Sequence, residues 1–179
     1  MSYFNFNKKS KSTILGVLIA LLITSCASSG LITKTQNSLA LKEINGLKYY
    51  KRGEFEKAFS FLKEPAAWGY KGAQYALAFM FLKGQHVEQS TLLGMGWLGV
   101  AKEANVKDWN DQYMSIYASG TEAEKLKFDK IVKVYISRYG LVAQHVTCGR
   151  STSATTRMFK IDCYKNDGVV VLYDVDHIE

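Results

Sequence analysis

A chain of 179 residues is long enough for one domain of ordinary size with a substantial core. Its formal charge of +7 falls to a net +4, from 20 basic and 16 acidic residues, once a leader carrying Lys8, Lys9 and Lys11 is set aside. No basic cluster stands out, which leaves nucleic acid with little support as a partner, and a single proline with 14 glycines argues against a long disordered linker.

Residues 1–25 have the three parts of a secretory signal: a positive flank, an apolar run and small residues at its end. The run ILGVLIALLI, residues 14–23, is about half of the roughly 20 residues a spanning helix needs, so it reads as a signal peptide rather than a permanent anchor. The residues that follow, Ile23-Thr24-Ser25-Cys26, resemble the lipobox of bacterial lipoproteins: an aliphatic residue, two small residues, then cysteine. That resemblance implies that the Cys26 thiol receives a lipid and becomes the N-terminus after cleavage. Two or three acyl chains, at roughly 0.8 kcal/mol per buried methylene, anchor a protein stably to a membrane. Because Ala27 and Ser28, not Asp, follow the cysteine, the resemblance further implies the periplasmic face of an outer membrane. Residues 26–36 are small and polar, as a tether should be.

From Asn37 the apolar period becomes helical, with Ala40, Ile44 and Leu47 at spacings of four and three, and Gly53 stops the helix. Phe55, Ala58, Phe59 and Leu62 form one face of a second helix, which Pro65 should kink or end. Ala73, Ala76, Leu77, Met80 and Phe81 line a third helix. Its opposite face is also apolar, so it must be buried on several sides before Gly84 closes it. Ser90 is placed to cap a fourth helix whose face runs Leu93, Gly96, Trp97, Val100, Ala101 and Ala104. Small residues at Gly96, Ala101 and Ala104 permit close helix approach, and Trp97 fills the space they leave.

Gly53 and Gly84 are equivalent breaks 31 residues apart, near the 34-residue period of tetratricopeptide helix pairs. The detail resembles the bacterial Sel-one-like repeat, whose motif is matched in order by Ala73-Gln74-Tyr75, Leu77, Lys83-Gly84, Val87 and Trp97, with Ala66-Ala67 and Gly69 upstream. His86 and Ala78 depart from the pattern by replacing its glycines, and only one unit is well preserved. The resemblance implies a mainly α fold, a short α-solenoid of helix-turn-helix units over residues 37–140, in which Ala73, Tyr75, Leu77, Gly84 and Trp97 are packing residues. A plain helical bundle is the competing arrangement. Asp111-Gln112-Tyr113 opens a degenerate third unit, and a long amphipathic helix follows from Glu122 to Tyr139.

After Gly140 the period changes to two, and residues 141–179 read as a small antiparallel extension. Strands are expected over residues 142–148, 158–164 and 169–175, with Asn166-Asp167-Gly168 as a hairpin turn between the last two. With Cys26 assigned to lipid, Cys148 and Cys163 are left for one disulfide in an oxidising compartment. A redox or metal-binding thiol pair is the rival reading, although the Cys-x-x-Cys spacing is missing.

Chemistry is sparse. His86, His145 and His177 are scattered, without a second ligand at metal-binding spacing. Asp174 and Asp176 share a strand face and could hold a divalent ion, but fit a frayed polar terminus better. Ser151, Thr152 and Ser153 have no glycine elbow or base around them. Glu122 and Glu124 suit the first turn of a helix. No catalytic or metal residue and no cofactor is therefore assigned. The expected function is an envelope lipoprotein that binds or assembles other envelope proteins through its helices. The aromatics Tyr49, Tyr50, Tyr70 and Trp109 are its candidate contacts. The alternatives are a purely structural lipoprotein, and a cell-wall enzyme or wall-binding protein whose site lies near the C-terminal hairpin.

Overall fold

The computed structural model describes residues 36–152, 159–166, 173 and 175, all within one compact unit, Lys34–Glu179. Its described part is mainly helical with a small C-terminal two-stranded antiparallel sheet. The helices are α1 (Gln36–Lys51), α2 (Phe55–Ala67), α3 (Lys71–Lys83), α4 (Thr91–Ala101), α5 (Lys107–Ser119) and α6 (Glu122–Tyr139). A 3-10 turn, Lys102–Ala104, follows α4. The strands are β1 (Val146–Thr152) and β2 (Phe159–Lys165). The expected leader, Cys26, Ser153, the Asp167-Gly168 turn, all but two residues of the expected strand 169–175, His177 and the carboxylates Asp174 and Asp176 lie outside the described residues.

Each of the helices α1 to α4 packs on the next in sequence, and α6 returns to pack on α4. The core follows from α4, which is buried continuously from Gly94 to Ala101. A helix apolar on every side has to be enclosed. Its glycines make that possible: a Cβ on Gly99 would lie 2.4 Å from Val132 of α6, and one on Gly94 would lie 2.6 Å from Leu82 of α3. Trp97 stacks on Tyr139 at 4.8 Å and meets Tyr135 edge-on at 4.9 Å, filling the α4–α6 interface. Ser90 caps α4 by accepting from the Leu93 amide at 3.2 Å. Thr121 and Glu124 form a reciprocal capping box at the start of α6.

Several boundaries and faces differ from the sequence reading. Pro65 lies inside α2, which continues one residue pair beyond it to Ala67. The helix expected from Asp111 begins at Lys107, and α6 packs on α4. The inward face of α1 is not Ala40-Ile44-Leu47. Ile44 is 48% exposed, whereas Leu39 and Gly46 are buried and Glu43 turns toward α3. Close packing of Gly46 on Leu62 sets that rotation, since it brings the smallest residue of α1 against α2. Residues 141–145 are successive turns, not strand: Gln144 N donates to Gly140 O, His145 N to Val142 O and Val146 N to Leu141 O. The expected alternation there is coincidental, and Val142 is 91% exposed.

β1 and β2 pair antiparallel, with Cys148 directly opposite Cys163, and the two cysteines form a disulfide. The hairpin is therefore built from residues 146–152 and 159–165, with the staple across its own ladder.

Candidate functional site

The hairpin is held on the helical body by a small polar clamp around the α2–α3 turn. Gly69 adopts φ +87°, and a Cβ there would meet Gln144 Cβ at 2.8 Å and Val146 Cγ2 at 2.9 Å, so only glycine lets the hairpin come this close. Lys165 Nζ donates to the backbone oxygens of Trp68 and Gln144 and lies 5.2 Å from the centre of the Trp68 ring. Burial pushes the Lys165 ammonium down to about 8. Gln144, itself fully buried, donates from Nε2 to Arg138 O at 2.7 Å.

Beside this clamp lies an open groove of about 280 Å³. One wall is helical: Glu43 and Leu47 of α1, Tyr70 and Lys71 at the start of α3, and Trp109 of α5. The other wall is the hairpin, with Val146 of β1 and all of residues 161–165 of β2. Trp109 is fixed in place by Tyr75, whose ring stacks on it at 4.5 Å and whose hydroxyl donates to Gln112 Oε1 at 2.7 Å.

The charges at the groove have different fates. Lys71 is buried, and its ammonium spends its three protons on Gln74 Oε1, Val100 O and Glu103 Oε2, at 3.0, 3.0 and 2.9 Å. Burial lowers its pKa, and the Glu103 carboxylate opposes the shift. Glu103 also accepts from the Leu141 amide at 3.0 Å, tying the end of α6 to α4. Gln74 completes the network by donating to Ala66 O and Tyr139 O, each at 2.9 Å. Asp162 accepts from Ser151. Glu43 differs: it accepts from the Ala73 amide at 2.9 Å and from Gly72, but no cation among the described residues pairs with it. Burial raises the Glu43 carboxyl, while those two backbone donors at the α3 N-terminus oppose the rise. Burial, then the nearby Glu43 charge, raises the Tyr70 hydroxyl.

Of the expected packing residues, Ala73, Leu77 and Trp97 are fully buried, and Gly84 ends α3 in the left-handed conformation at φ 64°. Tyr75 is half-buried and supports the groove wall. The four candidate contact aromatics separate into two pairs. Tyr70 and Trp109 line the groove, whereas Tyr49 packs on Phe61 and Tyr50 on Phe55, at 5.3 and 5.6 Å. His86 and His145 are exposed and both adopt positive φ, at 68° and 51°. Among the described residues, no three His, Cys, Asp or Glu side chains gather as a metal site, and no helix is long and apolar enough to cross a membrane.

Glu43, Lys71, Gln74, Gln144 and Lys165 were not singled out by sequence. For Glu43 a signal existed: Leu39, Glu43, Gly46 and Tyr50 share one helical face, and only the middle of that face is polar. Lys71 and Lys165 carried none, since their acceptors come from residues up to 97 positions away. Comparison with protein-family models, with curated proteins and with solved structures returns no match.

Proposed function

We propose that this protein is a non-catalytic binding module of the bacterial envelope, anchored by lipid at Cys26 and presenting its groove to a partner protein. In this reading the helices are a short array of Sel-one-like units, and the chain resides at the periplasmic face of the outer membrane. The observation that carries it is the groove itself, with Tyr70 and Trp109 on one wall and a strand of the hairpin on the other. Rigidly supported aromatic rings are contact residues of high value, because they offer large area at little cost in side-chain freedom. The two lysines at the groove are already committed to protein acceptors, which suits a binding surface better than a nucleophile.

A photo-reactive amino acid at position 109, with crosslinking in native membranes, tests this reading. A discrete adduct that disappears with Tyr70→Ala is expected; labelling that stays diffuse and indifferent to Tyr70 refutes it. Mass spectrometry of the membrane fraction should find an acylated Cys26, and an unmodified thiol at that position rules out the anchor.

The wall-binding alternative keeps one observation in its favour, since the groove does border the hairpin near Cys163. Binding of soluble muropeptides in competition with the crosslinked partner would favour it.

A further inference from the structure

The outward face of α1 is apolar at one end and basic at the other. At about 100° per residue, Leu41, Ile44, Lys48 and Lys51 fall along one side of the helix. Leu41 is 60% exposed and Ile44 48%, and both lysines are exposed as well. The other sides of α1 are committed to the protein. Leu39 and Gly46 are buried, Tyr49 and Tyr50 pack on Phe61 and Phe55, and the Lys42 ammonium bonds to Glu64 of α2. Glu43, the one carboxylate in the helix, accepts from Ala73 N on the far side and lines the groove.

Single exposed aliphatic residues need no partner, but here a pair one turn apart is continued by two cations. A second copy of this face would set lysines against lysines or against Leu41, with no carboxylate to meet them. A lipid surface meets both halves, since acyl chains take Leu41 and Ile44 while anionic headgroups take Lys48 and Lys51. Chain length points the same way. Residues 27–35 separate Cys26 from Gln36, the first residue of α1, and span at most about 35 Å when fully extended. A lipid on Cys26 therefore brings α1 to the bilayer before any other helix. The rival face, on α6, exposes Leu126, Lys127, Lys130 and Lys133. It also exposes Glu122, Glu124 and Asp129 among them, and lies far down the chain from Cys26.

We propose, resting on the lipid-anchor reading above, that α1 lies with this outward face on the anionic phospholipid surface beside the anchor. Leu41 and Ile44 enter the boundary between headgroups and acyl chains, and Lys48 and Lys51 pair with lipid phosphates. Because Glu43 sits on the far side of the helix, this seating turns the groove away from the bilayer and toward a partner protein. The lipid on Cys26 supplies the tether, and α1 supplies the orientation.

The test uses the full processed chain, reconstituted through its anchor into vesicles of phosphatidylethanolamine with phosphatidylglycerol, or of phosphatidylcholine alone. A nitroxide label is attached at Leu41→Cys or Ile44→Cys, with Leu126→Cys of α6 as the control. In the anionic vesicles, labels at 41 and 44 should relax with oxygen rather than with a water-soluble nickel chelate, and the label at 126 should do the reverse. Lys48→Gln combined with Lys51→Gln should lower the ratio of lipid-seated to water-exposed label at 44 roughly tenfold or more, and phosphatidylcholine should act in the same direction. Labels that stay open to the nickel chelate, or that seat equally well in both lipids, overturn the proposal. So do labels shielded from both reagents, which would mean that the tether or a second copy covers the face; broadening that grows with the protein-to-lipid ratio picks out the copy. Flotation of the same sample separates premise from inference. A chain that floats with the vesicles but keeps its labels in water retains its anchor and loses only this seating. A chain that neither floats nor carries an acylated Cys26 loses both.

Discussion

Gly69→Ala tests how closely the hairpin is held. The backbone there sits at φ +87°, which costs an L residue about 1–2 kcal/mol. The added methyl group also meets Gln144 Cβ at 2.8 Å and Val146 Cγ2 at 2.9 Å. Neither atom is the far end of a flexible chain, and Gln144 is pinned by its bond to Arg138 O, so overpacking adds about 1–3 kcal/mol. The total is about 2–5 kcal/mol. Gly53→Ala is the matched control, since Gly53 has φ +77° with nothing within 4 Å of a built Cβ. It should lose only the conformational part. Urea unfolding of both variants, with amide exchange resolved by residue, separates the two contributions. The excess loss at Gly69 should appear first as faster exchange in β1, with α3 and α4 still protected. Equal losses at the two glycines, to within about 0.5 kcal/mol, would refute the argument that the methyl collides with a fixed hairpin.

Trp97→Ala should destabilise the chain by about 3–5 kcal/mol in urea titrations, because the ring fills the space between Tyr135 and Tyr139; a loss under about 1 kcal/mol contradicts that packing. Trp97→Phe should be milder, since it also removes an indole N–H that has no partner among the described residues. Reducing Cys148–Cys163, which are 15 residues apart in sequence, should cost the hairpin about 3 kcal/mol, seen as faster amide exchange in β1 and β2; an equal rise in α3 and α4 would mean the staple supports the whole fold. Lys165 has a folded pKa of about 8, below its unfolded value near 10.4, so between the two the unfolded chain carries a proton that the folded chain has released. The stability of the parent chain relative to Lys165→Met should therefore rise from pH 8 to pH 10, and a flat difference in urea midpoints would refute the shift.

The helices were legible because their signals are local. Ser90 announced a cap, Gly84 a stop, and the two-sided apolar character of α3 announced its burial. The disulfide was legible once the sequence reading had set Cys26 aside, because Cys148 and Cys163 are the other two cysteines. The groove was not, because its parts belong to segments that look unrelated in the chain. Glu43 and Lys165 read as ordinary charged surface residues, and Gly69 as a helix break. Only the docking of the hairpin gives them a common address. The strand alternation at 142–145 misled for the opposite reason: a period of two over four residues also fits consecutive turns, and it was the turn bonds to Gly140 and Leu141 that prevailed.

The clamp has a consequence for the order in which the molecule assembles. Most helix packing joins neighbours in sequence, so little chain has to be searched before those contacts form. The bond from Lys165 to Trp68 spans 97 residues, and the loop entropy it closes is met only when both ends are in place. The helical body can therefore mature before the last segment arrives, and the groove comes into existence with the final docking step. A chain cut after Gly140 should keep much of its helix content yet have only the helical wall of the groove.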